Sequence, residues 1–501
     1  MRNLIISFSC LILIVLYIPS ELIGKKDFLS IPLSKETQEC IDCHEVENPG
    51  LVADWFASRH SKTTPKDATQ KTSLEKRVSS NNIPENLSSN AVGCYECHSL
   101  NSFAHKDNFE HYGFKINVIV SPKDCSTCHS TEEKEYSNSK KANALDILQK
   151  NPLYHTLVET ITSVKETDGF NIVSLKPSES TKGKTCYACH GTNVEVRRLK
   201  KVITESDEIT VPDLTNWPNQ GVGRINPDGS MGACTACHPR HNFSIEIARK
   251  PYTCAQCHLA PDVPAWEIYK ESKHGNIFLS KHEATNWDQV PWTVGKDFQT
   301  PTCATCHNSL ITNPGGDVIE KRTHDFGSRL WVRIFGLIYS HPQPKDGKTY
   351  LIKNADGLPL PTTFTGIPAS EYLLDNNEQR QREISMKKIC KSCHTTDWIN
   401  GHFIHLDSTI IETEKMVLAS TQLIQTAWEK GIADPTNPFD EAIEQKWVEQ
   451  WLFYANSVRY AAAMGGPDYA AFKNGWWDLT KNLQSMKSLI DIYSTKKTNN
   501  D

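Results

Sequence analysis

The stretch CTACHPRHNFSIEIARKPYTCAQCH, Cys234 to His258, carries the pattern Cys-x-x-Cys-His twice, with a further histidine, His241, just after the first copy. The pattern recurs along the chain at 40–44, 94–98, 125–129, 186–190, 303–307 and 390–394, which makes eight copies. Of the 17 cysteines only Cys10 stands outside it. A lone Cys-x-x-Cys fits a zinc half-site or a redox dithiol equally well. Zinc knuckles or disulfides would not require a histidine after every second cysteine, so eight complete copies select another chemistry.

Two thiols three residues apart can add to the two vinyl groups of one haem, and the adjacent histidine then reaches the iron. The expectation is eight c-type haems. They are attached through Cys40 and Cys43, Cys94 and Cys97, Cys125 and Cys128, Cys186 and Cys189, Cys234 and Cys237, Cys254 and Cys257, Cys303 and Cys306, and Cys390 and Cys393. The proximal ligands are His44, His98, His129, His190, His238, His258, His307 and His394. Hydrophobic residues make up only 38% of the 501, a thin supply for a core of this length. Buried macrocycles would add the missing apolar surface. A formal charge of −5, with cations scattered among acids, gives no nucleic-acid footprint.

The start, MRNLIISFSCLILIVLYIPSELIGKK, has Arg2 before an apolar run from Leu4 to Ile18 and reads as a secretory signal over 1–24; an uncleaved anchor is the alternative. No second apolar run is long enough to span a bilayer, so the mature protein is expected to lack a stable membrane span. Attachment of c-type haem happens outside the cytoplasm, which agrees with export to the periplasm or an equivalent compartment such as an anammoxosome lumen.

Eleven of the 19 histidines lie outside the motifs. A haem that only relays electrons takes a second strong axial ligand, and one that does chemistry leaves that position open. His60, His241, His274 and His324, each a short reach from a motif, are the leading distal ligands, followed by His111 and His155. A seventh would come from His105, His282, His341, His402 or His405. His241 lies three residues beyond His238 and should reach a neighbouring iron rather than the same one.

The fold expected is mainly α: a multihaem wrapper with little regular sheet over 25–405, then long helices in a C-terminal domain, 406–501. PAWEIYKESKHG reads as a helix delivering His274, and NPDGSMG and NPGGDV read as turns. Apolar spacing of three and four over Ile410–Ile432 and Phe439–Tyr493 predicts two or three helices, interrupted at Gly465, Gly466 and Pro467. The aromatics Trp447, Trp451 and Tyr454 would pack on haem, on another subunit or in an ordinary helical core. The final STKKTNND reads as a frayed tail.

Eight motifs in this order, the opening block, WEIYKESKHG, PTCATCH and a late GGPDY together resemble the octahaem hydroxylamine oxidoreductases and their hydrazine dehydrogenase relatives, from Cys40 to about Trp477. The resemblance implies that the fourth haem, on Cys186 and Cys189 with His190 beneath it, is a P460-like catalytic centre, and that seven haems relay electrons. It implies that Tyr469, in MGGPDYAAF, cross-links to the catalytic haem of a neighbouring subunit in a homotrimer, a feature that goes with oxidation. Where the family has an Asp-His pair, this chain has Asp262 and Val263; for a further active-site tyrosine only Tyr339 and His341 are candidates. The expected activity is oxidation of hydroxylamine or hydrazine, with Asp262 accepting protons and a small redox protein accepting electrons. The alternatives are reduction of nitrite or nitric oxide to hydroxylamine or ammonia, and a non-catalytic electron conduit.

Overall fold

The computed structural model describes residues 31–203 and 207–498; the proposed signal segment, 1–24, lies outside the described residues. Short helices joined by long irregular segments surround an internal cavity, and the only sheets among the described residues are small two- and three-stranded ones. Several motifs occupy their own helical turn, as in Cys94–His98, Cys186–His190 and Cys303–His307. One helical turn puts residues i, i+3 and i+4 on one face, so both thiols and the histidine meet the same side of the chain. At the fourth motif this turn ends on Gly191, at φ +103°, where a Cβ would lie 2.3 Å from the Arg224 backbone nitrogen. The facing Gly221 is equally tight, so two backbones seal the motif from behind.

PAWEIYKESKHG forms two helices rather than the single one expected, Ala265–Glu271 and Lys273–Lys281. Ser272 breaks the run in an extended conformation, and its side chain accepts a hydrogen bond from the Gly275 N–H. NPDGSMG and NPGGDV do turn, closed by Gly229 N–H donating to Asn226 O and Gly316 N–H to Asn313 O.

The C-terminal helices begin earlier than the apolar spacing suggests. Thr396–Glu429 is one helix of 34 residues starting just after His394. It runs unbroken across the expected boundary at 405/406, so no domain break falls there. A second rod follows, Ala442–Val448, a π turn over Glu449–Tyr454, and Ala455–Met464. It stops at Gly465, with φ +70°, before Pro467. The last helix, Trp476–Thr498, carries most of the supposed tail as helix.

The aromatics of the second rod pack inside this chain. Trp447 and Trp451 join Val417, Ile424, Leu479 and Met486, and also Leu157, Leu337 and Leu360 from before residue 400. The two regions thus share one core. Through it passes Arg459, fully buried, with Nη1 2.7 Å from Glu414 Oε1 and Nη2 donating to Asn456 Oδ1 at 2.7 Å. No helix among the described residues is long and apolar enough to cross a membrane.

Candidate haem and redox site

A continuous, mostly apolar cavity of about 2500 Å³ runs through the molecule, and all eight motif histidines line it. Several of these rings are held by Nδ1: His98 on Asn117 O at 2.7 Å, His129 on Arg77 O at 3.2 Å and His190 on Ala144 O at 3.3 Å. An Nδ1–H that donates to a carbonyl leaves Nε2 as a free lone pair for a metal.

Three motif rings face a spare histidine: His44 with His111 at 6.2 Å between ring centres, His129 with His60 at 6.3 Å, and His394 with His274 at 6.0 Å. Two imidazoles on opposite sides of one metal, each with a metal–nitrogen bond of about 2.0–2.1 Å and about 1.1 Å from nitrogen to ring centre, stand about 6.2 Å apart. The spacing fits an iron between each pair, and the chemistry of the donors fits haem. His241 lies within electrostatic reach of His98, and His324 of His238. Burial holds His60, His238 and His241 largely neutral, each lowered to about 4.

The other spare histidines go elsewhere. His105 is fully enclosed, with Nδ1 3.1 Å from Asp107 Oδ1 and Nε2 3.1 Å from Asp124 Oδ2. Burial opposes its charge, but the bonds to Asp107 and Asp124 raise it to about 10. An imidazolium with both nitrogens engaged has no lone pair for iron, which removes His105 from the ligand candidates. His155, expected as a distal ligand, is exposed and off the cavity wall, as is His405. His282 binds Phe278 O through Nδ1 at 3.2 Å. His402 does line the cavity, stacked on Trp398, which stacks in turn on His394. His341 is buried with Nδ1 on Pro342 O at 2.7 Å and Nε2 without a partner.

The motifs follow a spatial order different from their sequence order. Hydrogen-bonded thiol pairs join motif three to five through Cys125 and Cys234, four to six through Cys189 and Cys257, and six to seven through Cys254 and Cys303. Thiols in electrostatic reach join one to two, two to three, five to six and seven to eight. The result is a line of seven motifs with the fourth attached at the sixth. Intact mass of the holoprotein should show eight haems; a shortfall of one would break this line.

Around the fourth motif stand residues from distant segments. Asp262 acts on both Cys186 and Cys189, and burial raises its carboxyl. Its carbonyl accepts from Asn456 Nδ2 at 3.4 Å. One helical turn after Asn456, Tyr460 lines the cavity within reach of Asp262, and burial pushes its hydroxyl up to about 12. Arg333 also lines the cavity, tied to Phe335 O through Nε at 2.6 Å, and its charge reaches both Tyr460 and His190. Sequence reading missed Tyr460 and Arg333, because neither carries a motif; the one available signal was the Asn456–Tyr460 spacing of four. Tyr339, proposed for a tyrosine at this site, belongs to the C-terminal core and donates to Phe364 O at 3.0 Å.

Tyr469 is far from open. Only 6% of it is exposed, and it packs on Ile268 and Ala461 of its own chain. Gly466, three residues before it, meets Ile268 so closely that a Cβ would lie 2.5 Å from that side chain.

Residues 228–328 match the family described as seven times multi-haem cytochrome CxxCH, and residues 39–114 and 124–210 match cytochrome c554 and c-prime. The chain is 22% identical over 434 residues to a probable nitrite reductase-hydroxylamine oxidoreductase fusion protein of Kuenenia stuttgartiensis, covering 84% of this chain and 41% of that one. It thus spans about two fifths of the curated relative it matches. Among solved structures, a Kuenenia stuttgartiensis reducing HAO-like protein complex shares the fold at 17% identity, TM-score 0.59, over 92% of this chain and 87% of that one. A hypothetical multiheme protein is 42% identical with TM-score 0.88, over 93% of this chain and 97% of its own. With likeness of that extent on both chains, and histidine pairs spaced for iron between the motifs, this protein belongs to the multihaem c-type cytochromes.

Proposed function

We propose that this cytochrome is an exported reductase of nitrite or a related small nitrogen oxide, working at the fourth motif and fed by a small redox protein. A haem held by Cys186, Cys189 and His190 would supply the iron at which the substrate reacts, and haems of the other motifs would supply electrons. Arg333 carries the reading: a guanidinium on the cavity wall, held by Phe335 O and with its charge reaching Tyr460 and His190, suits an anionic substrate, whereas neutral hydroxylamine or hydrazine gains little from it. Tyr460, kept protonated by burial, donates a hydrogen bond to substrate oxygen. Asp262, its carboxyl raised by burial, passes protons to the oxygen that leaves. Val263 can do neither, so the acid–base work falls on Asp262 and Tyr460.

Enclosure of Tyr469 by its own chain supports the same direction, since a side chain packed on Ile268 is not available to a neighbour's haem. A homotrimer in this reading is non-covalent, with exposed Ile404 and Ile411, one heptad apart on Thr396–Glu429, as an apolar seam.

The test compares reoxidation of the fully reduced protein by nitrite with reduction of the oxidised protein by hydroxylamine, followed by haem absorbance. Nitrite should react much the faster, and wild type and Tyr469→Phe should both run as monomers on denaturing gels stained for haem. Faster reduction by hydroxylamine, with a trimer band lost in Tyr469→Phe, would establish the oxidative reading instead. No reaction with either substrate, with every iron six-coordinate by EPR, would leave an electron conduit.

A further inference from the structure

Among the motif histidines, His258 of the sixth motif faces a lysine. Lys141 Nζ lies 3.0 Å from His258 Nε2, the ring nitrogen that a Cys-x-x-Cys-His motif turns towards iron. The charged side chains that act on the His258 ring are Lys141, His307 and His190, none of them a histidine outside the motifs. Among the described residues no carboxylate forms an ion pair with Lys141; its head lies 5.4 Å from the Phe326 ring. Its backbone N–H donates to Ser139 Oγ at 3.2 Å, and three residues later the Ala144 carbonyl holds His190, so the lysine stems from a fixed stretch of cavity wall.

We propose that Lys141 is the sixth ligand of the iron held by His258, so that the sixth motif carries a haem with lysine and histidine as its axial pair. Two nitrogens across one iron stand about 4 Å apart, twice a metal–nitrogen bond of about 2 Å. A four-carbon stem with rotatable bonds lets Nζ draw back by about 1 Å while the backbone stays in place. The lysine ligates as the free amine: its lone pair forms the bond to iron, the ammonium proton leaves to solvent, and nothing is oxidised or reduced.

The position gives the ligand its importance. The sixth motif is where the fourth joins the line of the others, so every electron bound for the fourth passes it. Axial-ligand identity is one of the levers that set a haem's potential, and here it acts on the last relay before the reaction. The assignment rests on haem attachment at Cys254 and Cys257, not on the direction of the chemistry.

The test uses the full chain with its haems. Wild type grown with ¹⁵N-lysine should show a ¹⁵N hyperfine coupling on a low-spin ferric signal in pulsed EPR, lost in Lys141→Ala. Lys141→Ala should turn one further haem per chain high-spin, and added methylamine should return it to low spin. Lys141→His should stay low-spin without the lysine coupling. Absence of the coupling in wild type overturns the proposal whatever the variants do, as does an unchanged high-spin fraction in Lys141→Ala, or an intact mass that lacks the haem on Cys254 and Cys257.

Discussion

Replacing Arg333 by leucine should lower kcat/KM for nitrite by about 10²–10³, the cost of removing one fixed donor aimed at developing charge in a dry site. The same change should alter the slower reaction with neutral hydroxylamine by less than about tenfold, because a neutral molecule gains little from the guanidinium. Arg333→Lys should fall between the two, since an ammonium restores the charge without the two-pronged geometry. Stopped-flow absorbance on the reduced and oxidised proteins measures both reactions. Equal losses for nitrite and hydroxylamine would mean that Arg333 shapes the pocket and does not choose the substrate. The Nε bond to Phe335 O makes the residue a good probe, because it holds one edge of the guanidinium in place where the residue lines the cavity.

The largest effect on stability is expected at Arg459. Its side chain is fully buried and spans Glu414, Asn456 and the carbonyls of Ala455 and Trp451. Arg459→Met keeps the volume but leaves the Glu414 carboxylate without its cation, a loss of about 3–5 kcal/mol for a broken buried pair. Burial already raises the Glu414 carboxyl, and Arg459 opposes that rise. In the variant the folded chain therefore holds this proton more tightly than the unfolded chain does. Stability contributed through such a group is fully present below the unfolded pKa, about 4.3, and falls as pH rises through the folded one. The deficit should accordingly be large at neutral pH and shrink in acid, as read from denaturation midpoints at several pH values. Arg459→Met combined with Glu414→Gln should recover most of the loss; no recovery would place the cost in packing around Trp451.

The cysteine pattern was legible because covalent chemistry dictates its spacing: thiols must stand three apart and the histidine must follow. Spare histidines were harder, since a ligand is defined by the iron it meets and not by the motif nearest to it in sequence. His60 pairs with His129 and His274 with His394, each across a long loop that local spacing does not report. His105 looks like any other spare histidine until Asp107 and Asp124 close on it. The C-terminal helices were visible from periodicity, but their start was placed too late, although Ile399, Phe403 and Leu406 already continue the buried stripe at spacings of four and three. Tyr469 was read through a short GGPDY likeness, whereas its burial depends on Ile268, some two hundred residues earlier.

Of the motif cysteines, Cys43 and Cys393 are exposed, and they belong to the two ends of the seven-motif line. A wire with both terminals at the surface and one tap near its middle behaves as a small capacitor. On the reductive reading proposed above, charge taken up at either end would be stored along both arms and discharge through a single junction. A substrate needing several electrons in quick succession would then be served from stock, without waiting for a fresh donor to dock between one electron and the next.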